Sequence, residues 1–285
     1  MKPARLQGAP QPRPRHPSLN EALERAAVSG RRGLTFVSAD ESEMALGWDE
    51  IRERASRVAG ALADLGVRPG ERVALVLPTG PDFMDAFFGA LLAGAVPVPL
   101  YPPVRLGRLP EYHAMTARML RLSDAGVLLS DGRVGRLLGE AVRRAGPRLG
   151  LWNVATLRES DTSPLARPAD PGALAVVQFS SGSTVEPKPV ALSHRAVLAQ
   201  TDALRALMPD DTPEDPQLGV SWLPLYHDMG LIGCLLSALT YPGPLCCSGP
   251  RCSSAAPRSG CAPSRATAAR CPSPRASPTP SAPGE

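Results

Sequence analysis

The chain has 285 residues, of which 43% are hydrophobic and 20% charged, and its formal net charge at pH 7 is +4. This composition supports a substantial folded core, whereas scattered and nearly balanced charges argue against a nucleic-acid partner. No stretch reaches the roughly 18 consecutive apolar residues of a membrane span, and the basic N-terminus lacks the apolar core of a signal peptide, so we expect a cytoplasmic protein.

The first predicted elements follow a basic, proline-rich leader. We expect residues 1–30 to be mostly disordered, although Ser18 and the periodic apolar residues after it predict a short helix with Ser18 as N-cap. Two short apolar runs then predict a pair of strands, and a longer amphipathic stretch predicts a helix that Gly66 ends. These three elements are LTFVS (34–38), MALGW (44–48) and DEIRERASRVAGALADLG (49–66).

Between residues 72 and 146, strand-like runs alternate with helical stretches. The predicted strands are 72–78, 95–103 and 126–131, and the predicted helices are 81–94, 109–125 and 134–146. Strands separated by helices of about 10–15 residues are typical of βαβ units. We therefore expect an α/β fold with largely parallel sheets and flanking helices.

A serine-rich loop stands between the last predicted strands. Strands are predicted at 173–181 and 218–225, a helix at 230–241, and Ser-His at 193–194 starts a further helix. The loop offers small hydroxyls, closely spaced N–H groups and Lys188, which together suit a polyphosphate. It does not match the pattern G-x-x-x-x-G-K-[ST]. The residues alone leave two interpretations open, a phosphate-binding loop and a surface turn between two strands.

Three stretches resemble the adenylate-forming enzymes. VVQFSSGSTVEPKPVALSH (176–194) resembles their phosphate loop, approximately [ST]-S-G-[ST]-T-G-x-P-K-G. SWLPLYHDMGLIGCLLSAL (221–239) resembles their next motif, and its residues are most similar to those of the fatty acyl-AMP ligases. ERVALVLPTGPDFMDAFFGALLAGAVPVPLYPP (71–103) is similar to the N-terminal subdomain of those ligases. The resemblance runs from about Leu34 to Leu245 and implies the N-terminal subdomains of the adenylate-forming fold, truncated.

The resemblance implies a reaction in two halves, with ATP and Mg²⁺ as cofactors. A fatty carboxylate attacks the α-phosphate of ATP to give acyl-adenylate and pyrophosphate. The acyl group then passes to an acyl-carrier protein in the ligases or to coenzyme A in the synthetases. Both acceptors stay open, and so does a non-catalytic fragment that binds a nucleotide or a partner. Charge accumulates as pyrophosphate leaves, which favours N–H donors, hydroxyls and a cation.

The same resemblance implies roles for individual residues. His227 would lie beside the reacting carboxylate and the α-phosphate as the catalytic residue, and Thr184 would lie near the metal ion. We interpret His194 as a structural residue at a helix start, Trp222 as part of the core, and His113 as a residue without a special role. The implied phosphate-binding set is Ser181, Gly182, Ser183, Thr184 and Lys188, and the implied acyl-tunnel set is Asp228, Met229 and Gly230.

The loop departs from the family pattern at Val185 and Pro189, where the pattern has glycine. The ligases that the chain resembles often lack the first glycine. Pro189 is the larger departure, because it removes an N–H, fixes φ at about −65° and biases Lys188 towards extended geometry. We expect weaker phosphate binding as a result.

The C-terminal residues differ in composition from the rest of the chain. From Cys246 to Glu285 there is no Val, Ile, Leu, Met, Phe, Tyr or Trp, so we expect a partial AMP-binding domain over 31–245 and a disordered tail over 246–285. Five cysteines in the tail fit no zinc pattern, and disulfides are not expected in a cytosolic chain. They are Cys246, Cys247, Cys252, Cys261 and Cys271.

Two hypotheses explain this tail. With chosen GC-rich codons, a shifted reading frame encodes a helix like the family's, so we hypothesise a frameshifted tail on a truncated gene product. The alternative is a genuine proline-rich interaction tail. The family's adenine-binding, ribose-binding and lid-lysine motifs are not found in the sequence. We therefore expect the chain by itself not to turn over.

Overall fold

A computed structural model describes residues 13–31, 33–38, 40–103, 106–162, 169–180, 187–208 and 218–248. These ranges contain helices packed against parallel sheets, so the predicted α/β class is confirmed. None of the helices in these ranges is long and apolar enough to cross a bilayer.

The N-terminal part of the chain forms two helices and a β-hairpin. Its elements are α1 Leu19–Val28, β1 Leu34–Val37, β2 Glu43–Leu46 and α2 Trp48–Asp64. The Ser18 side chain accepts a hydrogen bond from the N–H of Glu21, so Ser18 is the predicted N-cap of α1. Leu19 and Leu23 are buried where α1 packs against α2. The leader predicted over residues 1–30 therefore contains a helix that belongs to the core.

The middle of the chain forms a parallel four-stranded sheet with helices between its strands. Its elements are β3 Arg72–Val76, α3 Pro81–Leu92, β4 Val96–Leu100, α4 Leu109–Leu122, β5 Ala125–Ser130, α5 Gly139–Ala145, β6 Leu151–Asn153 and α6 Val154–Leu157. The strand order is β4-β3-β5-β6. The helix predicted over 134–146 is interrupted at Leu138, where a 3₁₀ turn at Gly135–Leu137 gives way to α5. Strand β6 and helix α6 are short and were not predicted.

The last described part of the chain forms an antiparallel hairpin and completes a second sheet. Its elements are β7 Leu174–Ser180, β8 Lys188–Ser193, α7 His194–Arg205, β9 Gly219–Ser221, a π-helix Met229–Leu236, α8 Ser237–Thr240 and β10 Leu245–Ser248. Strands β7 and β8 pair with each other. The second sheet has the order β2-β1-β10-β9, in which β10 is parallel to both of its neighbours.

Strand β10 corrects the predicted domain boundary. Cys246, Cys247 and Ser248, which we assigned to a disordered tail, are buried in this strand between β1 and β9. Cysteine packs as a small apolar side chain, and a central strand draws its hydrogen bonds from neighbours distant in sequence. The rest of the predicted tail lies outside the described residues.

Trp222 is a second correction. We interpreted it as a core residue, but 59% of it is exposed, and Val220 of the preceding strand is 53% exposed. Strand β9 is the edge of its sheet in the described part of the chain, and Val220 and Trp222, two residues apart, are both exposed beside that edge. Its position at an edge, which no local sequence pattern marks, explains the error.

Candidate functional site

The serine-rich loop connects the two strands of the β7–β8 hairpin. Ser180 pairs with Lys188 in the register of the hairpin, so the two ends of the loop are held opposite each other. Lys188 is the first residue of β8 and is exposed. The other four phosphate-binding residues of our prediction, together with Val185, lie in 181–186, outside the described residues. Their assignment stays a prediction.

Pro189 lies in β8 opposite Phe179. In the described chain β8 pairs with β7 alone, and an edge strand is the position where a sheet tolerates a residue without an N–H. Lys188 is in extended strand geometry, as we predicted for the residue before a proline, and Pro189 continues the same strand. The effect of Pro189 on phosphate binding is untested.

His194 has a structural role, as we expected. Ser193 caps α7 through its side chain, and the buried His194 ring accepts a hydrogen bond at Nδ1 from the N–H of Leu19, at 3.1 Å. Burial lowers the pKa of His194 to about 4, against a weaker opposing effect of the Asp170 charge. A neutral ring therefore ties the start of α7 to the start of α1.

His227 lies in the segment that connects β9 to the π-helix. Its Nδ1 is 2.6 Å from Oδ1 of Asp228, and about half of its side chain is exposed. The segment is tied to the rest of the fold through its backbone, because Gln178 donates to the carbonyl of Tyr226 and the N–H of Leu225 donates to Oγ1 of Thr79. These bonds tie the residues just before His227 to β7 and to the loop that follows β3.

A tyrosine cluster joins two stretches of the family resemblance, residues 71–103 and residues 221–239. The Tyr101 ring, in the Tyr-Pro-Pro corner after β4, is edge-to-face with Tyr226 at 6.5 Å and with Tyr112 at 5.8 Å. Burial raises the pKa of Tyr101 and of Tyr226 above the ordinary value, which agrees with the packing of both rings in this cluster. The corner therefore supports the segment that carries His227.

A cavity of about 530 Å³ lies between the hairpin, α7 and the π-helix. His227, Asp228 and Met229 line it, and so does Ser180, so the structure brings the predicted catalytic residue and two of the three predicted acyl-binding residues together with the residue that precedes the predicted phosphate loop. Its remaining lining is mainly apolar: Phe179, Val190, Leu192, Ala196, Val197, Leu204, Ile232 and Gly233, with the amides of Gln178 and Gln200.

Gly230 differs from the other two residues predicted at the acyl tunnel. It is buried and does not line the cavity. A Cβ at this position would lie 2.3 Å from the carbonyl oxygen of Pro224, so the close approach of two backbone segments requires glycine there.

Sequence reasoning missed the cavity wall that α7 provides. Ala196, Gln200 and Leu204 line the cavity and are spaced four residues apart, the spacing of one helix face. That spacing was visible in the sequence, but only the structure shows that the face meets the π-helix and the hairpin.

Comparisons with known proteins agree on one family. The model of the family described as AMP-binding enzyme matches residues 23–260. A protein of Caulobacter vibrioides named putative acyl-CoA synthetase is 36% identical over 235 residues, which cover 79% of this chain and 38% of that protein. A protein of Mycobacterium marinum named long-chain-fatty-acid–AMP ligase FadD26 is 36% identical over 197 residues, covering 66% of this chain and 32% of that protein.

The fold agrees with the sequence matches. A solved structure from work on fatty acyl-adenylate ligases of E. coli and L. pneumophila aligns with a TM-score of 0.78 at 29% identity. The alignment covers 86% of this chain and 44% of that one. The chain thus spans about a third of the length of the curated relatives it matches.

Proposed function

The chain belongs to the family of AMP-binding enzymes, and from this membership we propose that it is part of an enzyme that activates fatty acids as acyl-adenylates, using ATP and Mg²⁺. The observation that carries the proposal is the meeting of two predicted subsites at one cavity. Ser180, at the base of the serine-rich loop, lines the same largely apolar cavity as His227. A cavity of this kind suits an alkyl chain, and its loop edge suits a polyphosphate.

The phosphate side of the proposal fits the residues present. Lys188 is exposed at the closing end of the hairpin, opposite Ser180, where a cation and a hydroxyl can face an anion. Within the described ranges, no group of three or more His, Cys, Asp and Glu side chains is arranged to hold a metal ion. Thr184, our candidate metal contact, lies outside those ranges. Mg²⁺ would be held at Thr184 together with the phosphates.

When bound, ATP with Mg²⁺ supplies the electrophilic α-phosphate and the pyrophosphate leaving group. The fatty acid is already ionised at neutral pH, so its oxygen needs no general base. That oxygen forms a bond to the α-phosphorus, while the bond from this phosphorus to the bridging oxygen breaks and its electron pair leaves with pyrophosphate. The task of the protein is to position the reactants and to stabilise the accumulating negative charge.

His227 serves this task by positioning and electrostatics. The Asp228 carboxylate lies within hydrogen-bond distance of Nδ1 and so fixes the orientation and the tautomer of the ring. Nε2 is then the nitrogen that faces the reactants. Lys188, which pairs in the hairpin with the cavity-lining Ser180, stabilises the departing charge from the loop side.

The acyl acceptor has two candidates. We propose an acyl-carrier protein, because the motif LYHDMG at 225–230 resembles the corresponding motif of the acyl-AMP ligases. Coenzyme A is the second candidate, favoured by the 36% identity to a protein named putative acyl-CoA synthetase. Thioester formation on a phosphopantetheinylated carrier protein, compared with formation on coenzyme A, separates the two.

The test of the function is pyrophosphate release. It is measured with ATP, Mg²⁺ and octanoate, dodecanoate or hexadecanoate, on a form of the protein extended by the segments that its full-length relatives have. We expect release that depends on the fatty acid and falls about a hundredfold or more in Lys188→Ala and His227→Ala, since each removes stabilisation of developing charge. Arg195→Ala is the matched control, because Arg195 is an exposed cation on α7 that does not line the cavity. Release with amino or aryl acids but with none of the fatty acids would overturn the substrate assignment.

A further inference from the structure

The π-helix contains two glycines with opposite surroundings. A Cβ at Gly230 would collide with the backbone of Pro224, so glycine is required there. A Cβ at Gly233 would have no heavy atom of the described residues within 4 Å. The φ of Gly233 also lies outside the left-handed region that favours glycine.

Gly233 is therefore not explained by its local structure. Glycine inside a helix is less stable than alanine, mainly because it loses more backbone freedom on folding. Neither a close approach nor a positive φ offsets that loss at Gly233. The feature that distinguishes Gly233 from Gly139, which also has open surroundings, is that the space beside Gly233 belongs to the cavity.

That space is the cavity. Gly233 lines it together with Met229 and Ile232 of the same π-helix. Met229 precedes Gly233 by four residues and stands beside His227, so Gly233 lies about one helical turn further from the reacting end. The cavity wall across from this helix is formed by apolar residues of β8 and α7, including Val190 and Leu204.

We propose that Gly233 is a specificity-determining position, whose missing side chain keeps the cavity open to long unbranched acyl chains. The proposal deepens the proposed function and rests on it. A side chain at this position would enter the cavity beyond Met229, where it would displace the distal methylenes of a long chain and leave those near the carboxylate in place. The position would thus set the length of the acyl chain and not the chemistry at its head.

The test is the binding of saturated fatty acids of different length. Octanoate, dodecanoate and hexadecanoate are titrated calorimetrically into the same extended form of the protein that serves for the pyrophosphate test, and into its Gly233→Leu variant. Losing the burial of two or more methylenes weakens binding about tenfold, so we expect that loss for hexadecanoate and a change of less than about twofold for octanoate. Gly139→Leu is the control, since a Cβ at Gly139 in α5 also meets open space and that residue does not line the cavity.

The outcomes separate the assignment of Gly233 from the proposed function. An unchanged length preference in a folded Gly233→Leu variant overturns the assignment of Gly233 while the proposed function stands. Failure of the unchanged extended protein to bind any of the three acids overturns both. If Gly233→Leu does not fold, Gly233→Ala decides: we expect it to fold and to lose about twofold to threefold in hexadecanoate affinity alone. Equal affinities to the unchanged extended protein would then overturn the proposal.

Discussion

Asp85 carries a carboxylate in the core of the molecule. None of its side chain is exposed, and Arg54 donates to both of its oxygens from Nε and Nη2, each at 2.9 Å. Arg158, after α6, donates to it from Nη1 at 2.5 Å and also to Asp82 at 2.8 Å. These bonds join α2, α3 and α6, because a buried charge needs partners of opposite sign.

We predict that Asp85→Ala strongly destabilises the fold. The substitution leaves two partly buried guanidinium groups without their shared partner, a type of loss that costs about 3–5 kcal/mol. Urea unfolding followed by circular dichroism measures the change in the free energy of unfolding. Glu140→Ala is the control: Arg143 and Arg144 lower the pKa of Glu140 to about 2, but these ion pairs lie at the surface, where water screens them, so we expect a much smaller change. Equal effects of the two substitutions would contradict this account.

His194 predicts a pH dependence of stability. Burial lowers its pKa in the folded protein to about 4, below the ordinary value of 6.5. Between these values the unfolded chain binds a proton that the folded chain does not, so the free energy of unfolding falls as the pH is lowered through this range. His194→Asn keeps an acceptor for the Leu19 N–H without the titration, and we expect its stability to fall less between pH 7 and pH 4. Parallel pH curves for the two proteins would show that His194 does not contribute.

At the level of secondary-structure elements, β10 determines how the second sheet is assembled. It lies between β1 and β9, and its register pairs Leu245 with Leu34 and with Gly219. Burial raises the pKa of the Cys247 thiol to about 12, helped by the nearby Cys246 and Cys234. The thiolate that reacts with alkylating agents is therefore scarce at Cys247 in the folded protein.

We predict that Cys247 resists alkylation until the protein unfolds. Iodoacetamide labelling at pH 8, followed by peptide mass spectrometry, should leave Cys247 unmodified in the folded chain and modified in urea. Cys252, Cys261 and Cys271 serve as internal comparators, because our sequence-based prediction of a disordered tail expects them to be labelled quickly. Fast labelling of Cys247 in the folded chain would contradict the buried position of β10.

The β7–β8 hairpin and the π-helix position the candidate site as two separate elements. The hairpin brings Lys188 opposite Ser180, and the π-helix begins directly after His227 and Asp228. π-Helical turns are rare and occur frequently at functional sites, which agrees with the placement of this one along the cavity. The geometry of the site thus depends on how these elements pack and not on either element alone.

On the scale of the whole molecule, the candidate site is open to solvent. About half of the His227 side chain and 67% of the Asp228 side chain are exposed, and Met229 and Trp222 are also exposed. Electrostatic stabilisation is weak in a site that water can enter, because water screens the charges. The described residues therefore provide the contacts of the site without excluding water from it.

We predict that the 285-residue chain alone forms no detectable acyl-adenylate. In the family that the chain resembles, separate motifs bind adenine, bind ribose and supply the lid lysine, and these motifs are not found in the 285 residues. When several groups that act together are missing, almost all of the reaction rate is lost. The measurement uses radiolabelled ATP, Mg²⁺ and hexadecanoate, with separation of the adenylate by chromatography. Acyl-adenylate that forms from this chain and disappears in Lys188→Ala would show that it carries more of the active site than we infer.

The sequence by itself determined the elements whose signals are local. Ser18 as an N-cap, Pro81 at the start of α3 and the glycines after α2 and α3 placed helix ends correctly, since caps and left-handed residues act within one turn. Gly66 and Gly94 both have positive φ, as those ends require. The α/β class also followed from the alternation of strand and helix patterns.

The tertiary structure alone decided what depends on contacts between distant residues. Strand β10 carries little local signal, because its pairing with β1 joins Leu245 to Leu34 and stabilises a strand that its composition does not predict. The exposure of Trp222 and the different surroundings of Gly230 and Gly233 likewise follow from which segments lie next to them. Side-chain type and spacing predict the chemistry of the candidate site, but the cavity exists only where the hairpin, α7 and the π-helix pack together, because packing is a property of pairs of elements and not of single segments.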